Sequence, residues 1–288
     1  MLRQLSVSLS AWVVALFLIA NAHAADLTVG SLNALHLGWG ATATTKSKCD
    51  QIKVLMATVD ILFLQETMQT SVPCTGLGTG VQQDCSGMKG ASSYKEAYCY
   101  VYKSSKITVV AYINAPSASF SRPPYAILTK IKVTGKADKY AWFANIHSVF
   151  GKTVKPRQDE ATAAGAFFKS LTTTTYGTIT VPPKGFPVII GGDWNLAVTS
   201  KKNVYQTGFK WVDPVANPTT APQACPDNDP TSLTTKGAPS SPYDHLIITG
   251  VSLTGDPSCY LTTNSLSGLG WRQNVSDHMA IYWGVTFK

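Results

Sequence analysis

The chain has 288 residues, 44% hydrophobic and 14% charged, and its 24 basic and 16 acidic side chains leave a formal net charge of +8. That composition is globular, excludes a disordered chain, and suits one large domain or two small ones. The positive balance favours polyanions, either nucleic acid or an anionic membrane surface, although scattered solubility charge would give the same number.

The first 24 residues read as an export leader. Arg3 precedes an apolar run over residues 11–20, and Ala22 and Ala24 supply the small side chains that a signal peptidase reads. The run is too short for a membrane span, and no later segment is apolar enough to make one. Cleavage after Ala24 would leave residues 25–288 as one domain, secreted or periplasmic. The arginines left are Arg122, Arg157 and Arg272. A guanidinium suits two-pronged phosphate contacts, whereas lysine gives diffuse attraction. Six cysteines follow the leader: Cys49, Cys74, Cys85, Cys99, Cys225 and Cys259. An even count in an exported chain predicts disulfides, and the absence of a C-x-x-C pair argues against zinc or redox chemistry. Cys74–Cys85 and Cys225–Cys259 are the sequence-local pairings, with the connectivity otherwise open.

A first strand is predicted over residues 27–32. Ile52, Leu55, Met56 and Val59 fall at helical spacing and place a helix over 46–58. The run DILFLQ, residues 60–65, reads as a strand buried on both faces. A Gly- and Ser-rich stretch over 76–93 reads as a loop. Strands are then expected at 97–102, 107–113, 125–133 and 141–146. Ala161, Ala164, Phe168 and Leu171 mark a second helix that starts near Pro156, in whose first turn proline is tolerated. VIIGGDWN, residues 188–195, reads as a buried strand that turns on two glycines to present Asp193 and Asn195, with Trp194 pointing back into the core. A second long loop covers 217–242, and strands close the chain at 246–249 and 279–285. Many strands with few helices predict two packed sheets with helices outside.

Polar residues stand at the ends of these strands. They are Asn33, Glu66, His147, Asp193 with Asn195, Asp244 with His245, and Asp277 with His278. Any one could be a cap or turn residue. Together they hold much of the chain's small stock of acids and imidazoles, as a site gathered at one sheet edge would. The types suit phosphodiester hydrolysis. Mg²⁺ needs one or two carboxylates plus substrate phosphate, and Glu66, Asp277 and the Asn33 amide would serve. One histidine can activate water while the other stabilises the transition state, each oriented by an acid. Asp193 and Asn195 could position water and phosphate.

The motifs SLN (31–33), LQE (64–66), NIHS (145–148), GDWN (192–195), YDH (243–245) and SDH (276–278) occur in the order of the endonuclease/exonuclease/phosphatase superfamily, and the chain resembles it over almost the whole length. Within that superfamily it is most similar to deoxyribonuclease I and the catalytic subunits of distending toxins. The resemblance implies an α+β fold, a four-layered αββα sandwich of two packed mixed sheets flanked by helices. It implies Asp244 as partner of His278 and Glu66 as metal ligand. YKE (94–96) resembles the segment whose Glu, here Glu96, orients the first catalytic histidine, His147, and whose Tyr, here Tyr94, enters the minor groove. FSRPP (120–124) resembles the segment whose arginine, here Arg122, contacts DNA phosphate. His36 and His245 match no catalytic role.

The expectation is therefore an exported endonuclease acting on DNA with Mg²⁺, or with Mn²⁺ or Ca²⁺, as a monomer, with delivery subunits if it is toxin-like. The rival within the superfamily is a phosphoinositide phosphatase or a sphingomyelinase, which an exposed apolar hairpin would favour. The rival outside enzymes is a binding protein that kept the fold and lost catalysis.

Overall fold

The computed structural model of the protein describes residues 25–91, 94–175, 185–197, 210–212, 231–260 and 268–288, with backbone alone at 210–212 and 255–260. The expected leader and residues 217–230 of the second long loop lie outside the described residues.

In chain order the elements begin β1 (Leu27–Leu37), α1 (Thr42–Thr58), β2 (Ile61–Thr67), β3 (Val81–Cys85), β4 (Ala97–Lys103), β5 (Ile107–Asn114) and β6 (Tyr125–Ile131). They continue β7 (Lys139–His147), α2 (Lys155–Leu171), β8 (Val188–Asp193), β9 (Lys210–Val212), β10 (Asp244–Thr249), β11 (Val251–Tyr260), α3 (Gly268–Asn274) and β12 (Ala280–Phe287). Among the described residues two six-stranded sheets result, in the orders β11-β12-β1-β2-β4-β3 and β5-β6-β7-β8-β10-β9. Both are mixed: β1–β2 and β7–β8 are parallel, and the other pairs are antiparallel. A parallel connection needs a long crossover, which α1 supplies in the first sheet and α2 in the second.

Alternation along each strand sets the layers. In β2, Ile61 and Phe63 enter the core between the sheets, while Leu62 and Leu64 pack outward with Ile52, Leu55 and Met56 of α1. In β8, Ile189 faces inward, while Val188 and Ile190 pack outward with Ala161, Ala164 and Phe168 of α2. Burial on both faces is why these strands read as unbroken apolar runs. The stack is helix, sheet, sheet, helix, the αββα sandwich expected.

The same parity carries polar residues into one end of the inner layer. Asn33 follows inward-facing Leu27 and Val29 on β1, and His147 follows Ala141 and Phe143 on β7. Asp193 follows Ile189, and Asp244 precedes Leu246 and Ile248. Register sets His147 beside Asp193 and Asp193 beside Asp244. Where apolar packing stops, an amide pair bridges the sheets: Gln65 Nε2 donates to Asn145 Oδ1 at 2.7 Å.

Several expectations need correction. The predicted 76–93 loop contains β3, which pairs with β4. Its solvent-side pattern, VQQDC, carries too little apolar signal to be read as a strand. Cys74 does not pair with Cys85. The bonds are Cys49–Cys74 and Cys85–Cys99, because Cys85 lies directly across β3–β4 from Cys99. The side chains of Cys225 and Cys259 lie outside the described residues. The glycines of VIIGGDWN sit inside β8 rather than in a turn. A Cβ on Gly191 would lie 2.5 Å from the Phe63 ring of the facing sheet, and one on Gly192 2.0 Å from the Ile146 carbonyl. Helix α1 starts at Thr42, four residues early, because its first turn holds no apolar period. The short α3 buries Trp271 alone and gave no period to read.

Candidate active site

The polar end of the sandwich opens into a cavity of about 610 Å³, with Glu66, Arg122, His147, Asp193, Asn195 and His278 in its wall. Two imidazoles dominate it. His147, at the end of β7, turns Nδ1 to both oxygens of Glu96, 2.8 and 2.9 Å away. His278, just before β12, turns Nδ1 to Asp244 Oδ2 at 2.6 Å. Both carboxylates are fully buried. Each therefore holds one ring nitrogen and leaves Nε2 to the cavity. The two Nε2 atoms converge on one oxygen, Asp193 Oδ2, at 3.6 Å from His147 and 3.3 Å from His278.

The electrostatics follow from this crowding. Burial pushes both imidazoles down, but for His278 Asp244 and Asp193 outweigh it and raise the ring to about 10. For His147 burial is likewise outweighed, by Glu96 above all, and its pKa is raised. Burial alone would raise Glu66, yet His147, the Asn33 amide and His36 reverse that and keep the carboxylate below its ordinary value.

Glu66 reaches the cavity against the strand pattern. Alternation would send it outward with Leu62 and Leu64. Instead its φ is +56°, and the β2–β4 register breaks between Leu64 and Thr67, which re-aims the side chain. Among the described residues, the non-glycine positions with positive φ are Leu35, His36, Glu66 and Asn195. All four are at or beside the cavity, where backbone strain is retained for a reason. The bend at Leu35–His36 lets the His36 backbone N–H donate to Glu66 Oε2 at 3.2 Å, with His36 Nε2 also 3.2 Å from that oxygen. Asn33 separates two acids: its Nδ2 donates to Glu66 Oε1 and to Asp193 Oδ2, each at 3.0 Å. Its Oδ1 accepts from the Leu35 N–H at 3.0 Å, which fixes the amide orientation.

A second set of groups fixes the walls. Arg122 donates from Nε to the His147 carbonyl and from Nη2 to the Ser148 carbonyl, at 3.2 and 2.7 Å. Its guanidinium lies 5.7 Å from the Tyr94 ring centre. Asn195 closes an Asx turn, its N–H donating to Asp193 Oδ1 at 2.8 Å, and its Nδ2 donates to the Ser148 carbonyl at 2.9 Å. One turn of α2 supports this from behind. Arg157 Nη1 donates to the Asn195 carbonyl at 2.6 Å, and Glu160 accepts from the N–H groups of Ser121 and Val149, each at 2.6 Å. Thr231 Oγ1 donates to Asp244 Oδ2 at 2.7 Å, and Ser276 Oγ accepts from the His278 N–H at 3.0 Å.

All eleven sequence-predicted residues thus meet at one end of the molecule. Tyr94 and Asp277 also line the cavity, while Asn33, Glu96 and Asp244 sit behind it. Asp277 is paired with Arg272 Nη1 at 3.1 Å. Trp194 is buried against Phe168, ring centres 6.2 Å apart, and faces away from the cavity. Sequence reading missed the roles of His36, Thr231, Glu160 and Arg157, the last read as a candidate phosphate contact but in fact buried against Asn195. The last two had a signal: a buried Arg and Glu three apart on a helix face that is otherwise apolar. Asp193, Asp244 and His278 present donor atoms within 4.8 Å of one another. Asp244 Oδ2 is bonded to His278 Nδ1 and accepts from Thr231, so the trio reads first as an oriented imidazole.

No protein-family model matches the chain. It is 24% identical over 295 residues to a protein named deoxyribonuclease from Thioalkalivibrio sp. (strain K90mix), covering 94% of this chain and 74% of that one. Truncated TDP2 of Caenorhabditis elegans superposes with a TM-score of 0.61 at 17% identity, over 91% of this chain and 98% of that one. The human Nocturnin catalytic domain, solved with bound sulfate, gives 0.59 at 16% identity, over 91% and 94%. An endonuclease/exonuclease/phosphatase family protein of Bacteroides thetaiotaomicron gives 0.58 at 16% identity, over 91% and 95%. With two facing mixed sheets, outer helices and these neighbours, the chain has the fold of the endonuclease/exonuclease/phosphatase superfamily.

Proposed function

We propose that the protein is an exported, divalent-metal-dependent hydrolase of DNA phosphodiester bonds, with residues 25–288 as its single domain behind a cleaved leader. One observation carries the reading: two imidazoles, each anchored at Nδ1 by a buried acid, aim Nε2 at the same Asp193 oxygen. Acids and imidazoles collected in one cleft are costly to fold around and are a mark of catalysis. The choice of DNA rests on the excess of basic over acidic side chains, on Arg122 and Tyr94 in the wall, and on the name of the 24%-identical relative. Export is supported by two disulfides among the described residues.

The donors fit a hard divalent cation such as Mg²⁺. Glu66 is kept below its ordinary carboxylate value and lines the cavity, with Asn33 on one oxygen and His36 on the other. Glu66 would hold the ion, with Asp277 as a weaker second because Arg272 already pairs with it. Asn33 would join them through Oδ1, which keeps a second lone pair beside the Leu35 N–H, while its Nδ2 holds Glu66 and Asp193 in place. When bound, the ion supplies positive charge that stabilises a phosphate and offsets the carboxylate field that raises both imidazoles. His278, oriented by Asp244, takes the proton of the attacking water at Nε2. Asp193 and Asn195 position that water and a phosphate oxygen. His147, oriented by Glu96, donates from Nε2 to the charge that develops on the phosphate or leaving oxygen. Arg122 binds a neighbouring phosphate.

The test compares plasmid DNA, RNA, a phosphoinositide and sphingomyelin, each with Mg²⁺ and with EDTA. Cleavage of DNA that EDTA abolishes is expected. Hydrolysis confined to a lipid, or DNA cleavage unchanged by EDTA, would overturn the reading.

A further inference from the structure

Trp194 of the GDWN motif is buried, as its sequence context predicts. The exposed aromatic of the cavity wall is Phe150. It is 72% exposed, the highest value among the exposed large hydrophobic residues described. It stands three residues after His147 and on the wall shared with Arg122 and Tyr94.

Phe150 is held out rather than loosely extended. The Ser148 N–H donates to the Asp193 carbonyl at 2.9 Å. The Ser148 carbonyl accepts from Arg122 Nη2 and Asn195 Nδ2, at 2.7 and 2.9 Å. The Val149 N–H donates to Glu160 Oε2 at 2.6 Å. Four hydrogen bonds thus fix the two residues before the ring, each from a different group of the site. An exposed phenyl forgoes the stabilisation, about 2 kcal/mol, that burial of such a side chain brings. A ring presented on a fixed stalk at the mouth of a polar cavity offers an apolar π-face to a planar partner.

We propose that Phe150 forms a base-stacking subsite, which takes the nucleobase next to the scissile phosphate. This rests on the reading of the protein as a nuclease and narrows it: the enzyme binds a base as well as a backbone, and favours a nucleotide free to leave its stack. Every base has a π-face, so the contact tolerates sequence. Insertion into a lipid surface would need a cluster of apolar residues, but exposed Gly151, Lys152 and Thr153 separate Phe150 from the next exposed apolar side chain, Val154. The lysine suits a phosphate backbone instead.

The experiment measures kcat and KM of wild type, Phe150→Ala and Phe150→Trp with Mg²⁺ on a short single-stranded oligonucleotide. It repeats them on the same oligonucleotide carrying abasic residues around the cut. Phe150→Ala should raise KM roughly five- to 150-fold on the base-bearing strand, the range of one aromatic–base stack, with the loss in KM rather than kcat. Phe150→Trp should restore binding. On the abasic strand wild type and Phe150→Ala should have the same KM. Equal losses from Phe150→Ala on both strands would overturn the subsite while leaving the nuclease reading intact. Loss of binding to phosphatidylcholine–sphingomyelin vesicles with no base dependence would replace it by a membrane contact. Wild type that cuts plasmid DNA but neither strand would overturn the subsite, and wild type that cuts none of the three would sink the nuclease reading itself.

Discussion

Glu96→Gln tests whether the buried acids tune the imidazoles. The substitution keeps size and removes charge from a side chain that is 0% exposed and bonded to His147, itself 5% exposed. Solvent screens little of this pair. A hydrogen bond to a charged group contributes about 1.5–3 kcal/mol, and we expect a stability loss in that range near pH 6. The pH dependence has a definite sign. His147 is raised in the folded protein despite burial, chiefly because of Glu96. A raised imidazole contributes stability that is complete below its unfolded value, about 6.5, and is lost as pH rises through the folded value. The gap between variant and wild type should therefore narrow as pH rises. With the acid gone, burial and Arg122 push His147 down. Urea denaturation in EDTA at several pH values, with histidine-ring NMR titration, reads both effects. DNA cleavage with Mg²⁺ should fall by about a hundred-fold or more, the scale of acid–base participation. An unchanged His147 titration with a pH-independent stability difference would refute the reasoning.

Three further outcomes are expected. Reducing the protein should lower its Tm, since bonds spanning 25 and 14 residues each contribute about 3 kcal/mol by restricting the unfolded chain; identical melting with and without dithiothreitol would count against both bonds. His278 is raised to about 10, so metal-free protein should lose stability between about pH 6.5 and that value. Asp244→Asn should flatten the slope, and a variant with the wild-type slope would contradict the assignment. Glu160→Gln should raise KM for DNA about ten-fold while leaving the protein folded, because one neutral–charged bond of about 1.5 kcal/mol to each of two wall loops is weakened; unchanged KM would remove Glu160 from the positioning set.

Much of the site was legible because the strand period is 2. Once Ile61 and Phe63 are assigned inward, the same phase along β1, β7, β8 and β10 brings Asn33, His147, Asp193 and Asp244 to one end of one face. Glu66 breaks that phase, and its place came from its standing at the end of the DILFLQ strand and from the motif LQE, since no alternation announces a left-handed φ. The disulfides were misread because proximity in sequence is a poor guide when a hairpin brings Cys85 against Cys99. The strand that does so hides in a polar stretch. His36 was set aside for want of a motif, yet a two-residue bend returns it to Glu66. The glycines of β8 looked like a turn because a sequence cannot show that Phe63 of the other sheet needs the space.

The account depends on two imidazoles acting together on one phosphate. Its most direct test is the rate of plasmid nicking with Mg²⁺ by His147→Ala and His278→Ala, each shown to be folded by circular dichroism. Loss of nearly all cleavage in both variants is predicted. A folded variant of either kind that nicks DNA at the wild-type rate would contradict the proposed chemistry.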